Sequence, residues 1–258
     1  MNLLTFADWI AAAPEWLQGS PQWVQNFIFQ LYQTFIYQDR WKFFTDGLKI
    51  TFIVTIGALF LGVIIGMLIA IIRTTHDSFT TKKPNLILRA LNQFCQLYLT
   101  VIRGTPMMVQ LLIMGFVIFS FSREYTLIGA LTLGINSGAY VAEIIRGGLM
   151  SLDPGQMEAG RSLGLNYIDT MRFIVIPQAF KAILPSLGNE FIILLKDTSL
   201  ITVIGGKELV YAAQAIYGRT YEQMYPLIGI ALIYLALVLL FSWLLSILER
   251  RLRQSDRR

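Results

Sequence analysis

Residues 50–72 read ITFIVTIGALFLGVIIGMLIAII, a run without one charged side chain. As a helix rising 1.5 Å per residue, it is long enough to cross about 30 Å of hydrocarbon. Residues 226–248, PLIGIALIYLALVLLFSWLLSIL, repeat the pattern. Composition agrees: 55% of the 258 residues are hydrophobic, 14% are charged, and the mean hydropathy is +0.58. The core of a soluble chain of this size needs far less apolar side chain. The expected fold class is an all-α integral membrane protein.

Three further spans are shorter or interrupted, giving five transmembrane helices. They cover about 88–120, bent at Arg103-Gly104-Thr105-Pro106; about 125–147; and about 187–206, which carries Lys196-Asp197. A charge inside a span is costly unless it faces protein or water, so the last of these is expected to line an interior pathway. With five spans the termini lie on opposite sides, and the basic residues choose between them. A cytoplasmic C-terminus puts Arg73, Lys82, Lys83, Arg89, Arg146, Arg161, Arg172, Lys181 and the tail arginines Arg250, Arg251, Arg253, Arg257 and Arg258 inside. Arg40, Lys42, Lys49, Arg123, Lys207 and Arg219 then lie outside, as does the N-terminus. This topology accounts for the net charge of +5. A nucleic-acid partner is not needed, and the basic tail is read as touching water and lipid headgroups.

The chain divides into an extracytoplasmic extension (1–45), a transmembrane domain (46–250) with a cytoplasmic loop at 150–186, and a basic cytoplasmic tail (251–258). No basic residue precedes Arg40, unlike the charged start of a cleavable signal peptide. Within the extension, Trp23, Val24, Phe27, Ile28, Leu31, Tyr32, Phe35 and Ile36 share one helical face, opposite Gln25, Asn26, Gln30, Gln33 and Thr34. Two readings fit: an amphipathic helix on the outer leaflet, or a helix that contacts a partner. Gly62 with Gly66, and Gly134 with Gly138, have the small-residue spacing that lets membrane helices approach closely, and are read as packing. Cys95 lies in an apolar span and is read as a core residue; His76 has no second histidine with which to build a metal centre.

The 150–186 loop carries the clearest functional signal. Glu158-Ala159-Gly160-Arg161-Ser162-Leu163-Gly164 is followed, after nine residues, by Ile174-Val175-Ile176-Pro177. Asp153 suits an N-cap, Pro154 the first helical position and Gly164 a left-handed stop; Asn166 can cap a second helix that ends before Pro177. The stretch resembles the EAA loop of ABC importer permeases, with Gly160 for the second alanine and Ile176 for leucine. Three more segments resemble the polar amino-acid branch of that family: Arg103-Gly104-Thr105-Pro106 followed by Gln110; Asn136 to Gly148; and Pro177-Gln178-Ala179 through Leu187-Gly188-Asn189-Glu190-Phe191 to Leu195-Lys196-Asp197-Thr198-Ser199-Leu200. The resemblance covers about residues 45–254, and the extension falls outside it.

The resemblance implies a type I importer permease in the bacterial inner membrane, translocating a polar or cationic amino acid. Its implied partners are a cytoplasmic ATPase dimer holding ATP and magnesium, a second permease copy or close relative, and an extracytoplasmic amino-acid-binding protein. It places ATPase coupling on Glu158, Ala159, Gly160, Arg161, Ser162 and Gly164. Candidate substrate contacts are Thr105, Gln110, Asn136, Tyr140, Glu143, Lys196, Asp197, Thr198 and Ser199.

Local chemistry fits these roles without excluding blander ones. Pro106 cannot donate to the Ile102 carbonyl, so the span should kink and expose acceptors at membrane depth; a plain packing kink is the alternative. Lys196 to Ser199 offer a cation, an anion and two hydroxyls to a zwitterion, or serve only to neutralise other helices. Glu143 and Arg146 can pair along one helix face, or Glu143 can meet a cationic group. Glu190 and Asp197, seven apart, share a face. Gly205-Gly206-Lys207 lacks the earlier glycine and the hydroxyl of a phosphate loop, so ATP hydrolysis belongs to another chain; no cofactor is expected on this one. No catalytic constellation favours an enzyme, and the loop disfavours an ATP-independent transporter.

Overall fold

Every regular element among the described residues, 5–77 and 85–255, is a helix in this computed structural model. Lys82, Lys83, Arg257 and Arg258 lie outside the described residues. The N-terminal extension folds as α1 (Phe6–Ala11), α2 (Glu15–Gln18) and α3 (Gln22–Leu31), held by Phe6 and Trp9 packing on Phe29 at ring-centroid distances of 5.4 and 5.3 Å. A wide π-helical turn, Tyr32–Ile36, follows α3 and rotates the pattern seen in the sequence. Gln33 and Thr34, expected on the polar outer face, are buried, while Trp23, Phe27 and Ile36 are exposed. The reason is polar: the buried Arg40 guanidinium donates to the Gln33 carbonyl at 2.5 Å, so this turn faces the protein.

The uncharged 50–72 run lies inside α4 (Trp41–Asp77), followed by α5 (Leu86–Gly104), α6 (Met107–Ile113, prolonged by Met114–Ile118) and α7 (Tyr125–Met150). The α4–α7 contact is the centre of the fold. A Cβ placed on Gly62 would meet Ser137 Oγ at 2.8 Å, and one on Gly66 would meet Val141 Cβ at 2.7 Å. Reciprocally, a Cβ on Gly134 would press Leu61, and one on Gly138 would press Ile65 at 2.8 Å. In lipid, where apolar burial between helices gains little, backbones that approach this closely gain dispersion contacts instead. Around this seam Val54, Ala58, Leu111, Ile128, Leu133, Leu194 and Ile201 form the largest buried cluster.

After α7 the chain makes α8 (Gly155–Ser162) and α9 (Tyr167–Thr170), then a π-helical turn, Met171–Val175, leading into α10 (Ile176–Asp197). The helix expected to end before Pro177 does not end there. Pro177 directly follows the wide π-helical turn Met171–Val175, the kind of local widening that lets a helix carry a proline, and helical backbone runs on through Pro185. The expected fourth span therefore starts earlier and stops as α-helix at Asp197; Thr198–Ile204 is a 3₁₀ stretch ended by Gly205 at φ +95°. The last elements are α11 (Leu209–Thr220) and α12 (Met224–Ser255), so helix continues into the segment expected to be a tail.

By length and composition α4, α7 and α12 are each able to cross a membrane, and α5 with α6 makes a fourth candidate, bent by 106° at Thr105-Pro106. α10, which carries Lys181, Glu190, Lys196 and Asp197, is not among the helices long and apolar enough to cross by length and composition.

Candidate functional site

The bend between α5 and α6 is closed by side chains. Pro106 leaves the Ile102 carbonyl without its ladder donor, and Gln110 Nε2 donates to that oxygen at 2.7 Å. The same amide lies 2.9 Å from Thr105 Oγ1, and Asn136 Nδ2 of α7 donates to Gln110 Oε1 at 3.0 Å. Thr105, Gln110 and Asn136 are thus one network, and the Ile102 acceptor, expected to be open, is already satisfied.

Two helical turns further along α7, Glu143 stands among three guanidinium groups. Arg73 of α4 approaches its carboxylate at 2.9 Å, Arg146 at 3.7 Å and Arg103 of α5 at 3.9 Å. The expected i,i+3 pair with Arg146 exists, but the shorter contact is to Arg73, 70 positions away, which no local pattern announces. Arg103 also lies over the Tyr140 ring, 5.7 Å from its centroid. Tyr140 and Glu143 line two cavities. One, of about 570 Å³, is bounded by Arg73, Gln96, Thr100 and Arg103; the other, of about 590 Å³, by Ser186, Asn189, Glu190 and Glu249.

Lys196 and Ser199 stand apart from that pair of cavities. They line a smaller cavity of about 330 Å³ with Val210, Leu227, Ile230 and Tyr234. Thr198 is fully buried and its hydroxyl donates to the Leu195 carbonyl at 2.8 Å, while Asp197 is half-buried. Of the acids on α10, Glu190 is the one at the larger cavities, accepting from Ser137 Oγ at 2.7 Å.

At the far end of α7 the loop forms a helical elbow. Asp153 Oδ1 accepts from the Gly155 N–H at 2.8 Å, and Gly164, at φ +82°, ends α8 with Leu165 N–H donating to the Gly160 carbonyl at 3.1 Å. Glycine at 160 has a packing reason: a Cβ there would meet Thr170 Cγ2 at 2.4 Å, so α8 lies close on α9. Glu158, Ala159, Arg161 and Ser162 point outward, Ser162 Oγ donating to the Glu158 carbonyl. Leu163 and Ile168 are 79% and 72% exposed beside them, an apolar patch the motif alone did not announce. Gln178 of α10 donates to Gln156 of α8 at 3.0 Å and ties the elbow to the membrane helices.

Residues 78–254 match the family of binding-protein-dependent transport system inner membrane components. The chain belongs to that family. It is 36% identical over 212 residues to the glutamine transport system permease protein of Escherichia coli strain K12, covering 81% of this chain and 92% of the relative. It is 34% identical over 217 residues to the arginine transport system permease protein of Bacillus subtilis strain 168, covering 83% and 94%. A chain of the solved structure of an amino acid ABC transporter with histidines superposes with a TM-score of 0.73 at 42% identity, over 81% of this chain and 94% of that one. The fold is that of a type I ABC importer permease, and the chain is a transport subunit of an amino-acid importer whose ATPase is a separate subunit.

In this permease the residue most completely missed by sequence reasoning is Glu208. It is fully buried and accepts from the Thr202 hydroxyl, Val210 N–H at 2.6 Å, Tyr211 N–H at 3.2 Å and Tyr234 Oη at 2.7 Å. A buried carboxylate is tolerable when so fully bonded, and this one caps α11 and fastens it to α12. Among the described residues no three His, Cys, Asp or Glu side chains are grouped to hold a metal.

Proposed function

We propose that this permease moves a polar amino acid across the bacterial inner membrane on five spans, counting the bent α5–α6 pair and α10. The N-terminus is then outside and the C-terminus cytoplasmic. It works as a dimer with a second permease copy or a close relative, receives substrate from an extracytoplasmic binding protein, and is driven by two ATPase subunits that hold ATP and magnesium. The relatives named for glutamine and arginine transport support this substrate class.

The observation that carries the reading is the elbow. Glu158, Arg161 and Ser162 present charge and hydroxyl beside the exposed Leu163 and Ile168, at the end of α7, one helix away from the polar cavities. Rigid docking there would convert ATPase closure into tilting of α7 and α10. Tyr140 and Glu143 are the proposed substrate contacts, the Thr105–Gln110–Asn136 network shapes the path, and Lys196 to Ser199 border it from the α11 side.

The test is uptake of labelled L-glutamine and L-arginine by the chain reconstituted with its ATPase and binding protein. Uptake should require ATP and be lost in Glu158→Lys while folding and ATPase-independent substrate delivery persist. Uptake by the chain without an ATPase would contradict the reading.

A further inference from the structure

The N-terminal extension lies before the residues that match the family, yet it is keyed tightly to the membrane helices. Phe35 fills the space opposite Gly229 of α12, where a Cβ would meet its Cζ at 2.6 Å, and stacks on Phe44 of α4 with ring centroids 5.2 Å apart. Phe27 of α3 meets Tyr225, in the first turn of α12, at 6.0 Å between centroids. α3 therefore sits beside the starting end of α12, and the extension runs into the starting end of α4 at Trp41. We infer that the Trp23–Phe27 face of α3 is a membrane-contact surface that takes outer-leaflet lipid, so that the extension anchors the outer ends of α4 and α12 at the bilayer interface. The choice of leaflet rests on the proposed orientation of the chain; the lipid contact does not.

Continuity with the apolar surface of the spans selects lipid as the occupant. Trp23, 72% exposed, and Phe27, also exposed, are four residues apart and share one face of α3. On α12 the exposed Ile228, Leu232, Leu235 and Leu239 share a face in the same way, and the Phe27–Tyr225 contact joins the α3 face to the start of that stripe. Trp41 is exposed at the matching end of α4, which further along exposes Ile53, Ile56 and Phe60. Aromatic rings at the ends of two helices able to cross a membrane stand where an apolar ring with a polar tip is most stable. The extension is a formed unit: the Gln25 amide donates to the Gln18 and Ser20 carbonyls, each at 2.9 Å, and ties α3 back to α2. Charge sets the mode of contact. Before Arg40 the chain carries three acids, Asp8, Glu15 and Asp39, and no base, so insertion is apolar and owes nothing to anionic headgroups.

The experiment uses the complex of permease and ATPase in phosphatidylcholine vesicles, with a nitroxide attached at Trp23→Cys or at Asn26→Cys in a Cys95→Ser background. Asn26 is exposed on the same helix but turned away from the Trp23–Phe27 face, and serves as the water-facing reference. Collision with oxygen, which concentrates in lipid, is compared with collision with a water-soluble nickel chelate. The oxygen-to-nickel ratio should be severalfold higher at position 23 than at position 26, and should not change when phosphatidylglycerol is added. A second measurement needs no cysteine: phosphatidylcholine brominated near the headgroup should quench the tryptophan fluorescence of the wild-type complex more than that of Trp23→Phe. Free access of nickel to position 23 would overturn the contact. Shielding of position 23 from both reagents would also overturn it, since a second permease copy or another protein would then cover the face. Equal quenching of wild type and Trp23→Phe, or an oxygen preference that appears only with phosphatidylglycerol, would contradict an apolar anchor as well. Nickel reaching position 26 only from the cytoplasmic side would instead strike the proposed orientation of the chain.

Discussion

The two faces of α7 show what a membrane helix does with and without polar work. Toward α4 it presents Gly134, Ser137, Gly138 and Val141, and the backbones close until no added Cβ would fit. Toward α5 and α10 it presents Asn136, Tyr140 and Glu143, and the neighbours stand back to leave two cavities of nearly 600 Å³ each. Small residues make a dry, stiff seam; polar residues need partners or water and therefore hold space open. A single helix thereby joins a rigid frame to a passage, and the frame is what allows motion at the elbow to reach the passage undistorted.

The largest effect should come from breaking the seam. Gly66→Leu drives a side chain into Val141, and overpacking of this kind costs about 3 kcal/mol or more where backbone stands behind the clash. Purified yield and melting temperature should collapse. Next comes the polar face: Glu143→Ala leaves Arg73 without its carboxylate, at a cost of about 1–2 kcal/mol, between the exposed and buried limits for ion pairs. Adding Arg73→Ala should recover most of that loss in a double-mutant cycle of melting temperatures. A smaller loss, about 1 kcal/mol, is expected for Gln110→Ala, which leaves the Ile102 carbonyl unbonded at the bend, and uptake should fall more than stability does. Gly57→Ala calibrates the series. Nothing lies within 4 Å of a Cβ there, so the change should stay within about 0.5 kcal/mol of wild type although it alters a glycine of the same helix as Gly66.

How much of this was legible in the sequence depended on the range of the forces. The uncharged runs inside α4 and α12, the bend at Thr105-Pro106, the paired glycines of the seam and the left-handed Gly164 are all local or periodic features, and each is found in the structure. The Arg73–Glu143 contact joins residues 70 apart, and Glu208 gathers donors from two helices and a turn; neither leaves a spacing to read. The N-terminal pattern misled for a related reason. A π-helical turn shifts the facing by a fraction of a turn, so Gln33 and Thr34, polar by composition, were carried inward by the buried Arg40. Pro177 misled because the π-helical turn just before it lets the helix carry a proline, and such a turn has no signature in residue type.

Thiol labelling tests most directly whether the passage opens while the seam stays closed. In a Cys95→Ser background, Thr100→Cys on the lining of the α5-side cavity and Ser137→Cys in the seam are compared in the complete reconstituted transporter, with a hydrophilic maleimide, with and without ATP trapped by vanadate. Thr100→Cys should react at a rate that changes severalfold between the two states, and Ser137→Cys should remain unreactive in both. Reaction at Ser137→Cys, or an identical rate at Thr100→Cys whatever the nucleotide, would contradict a passage gated around a rigid α4–α7 frame.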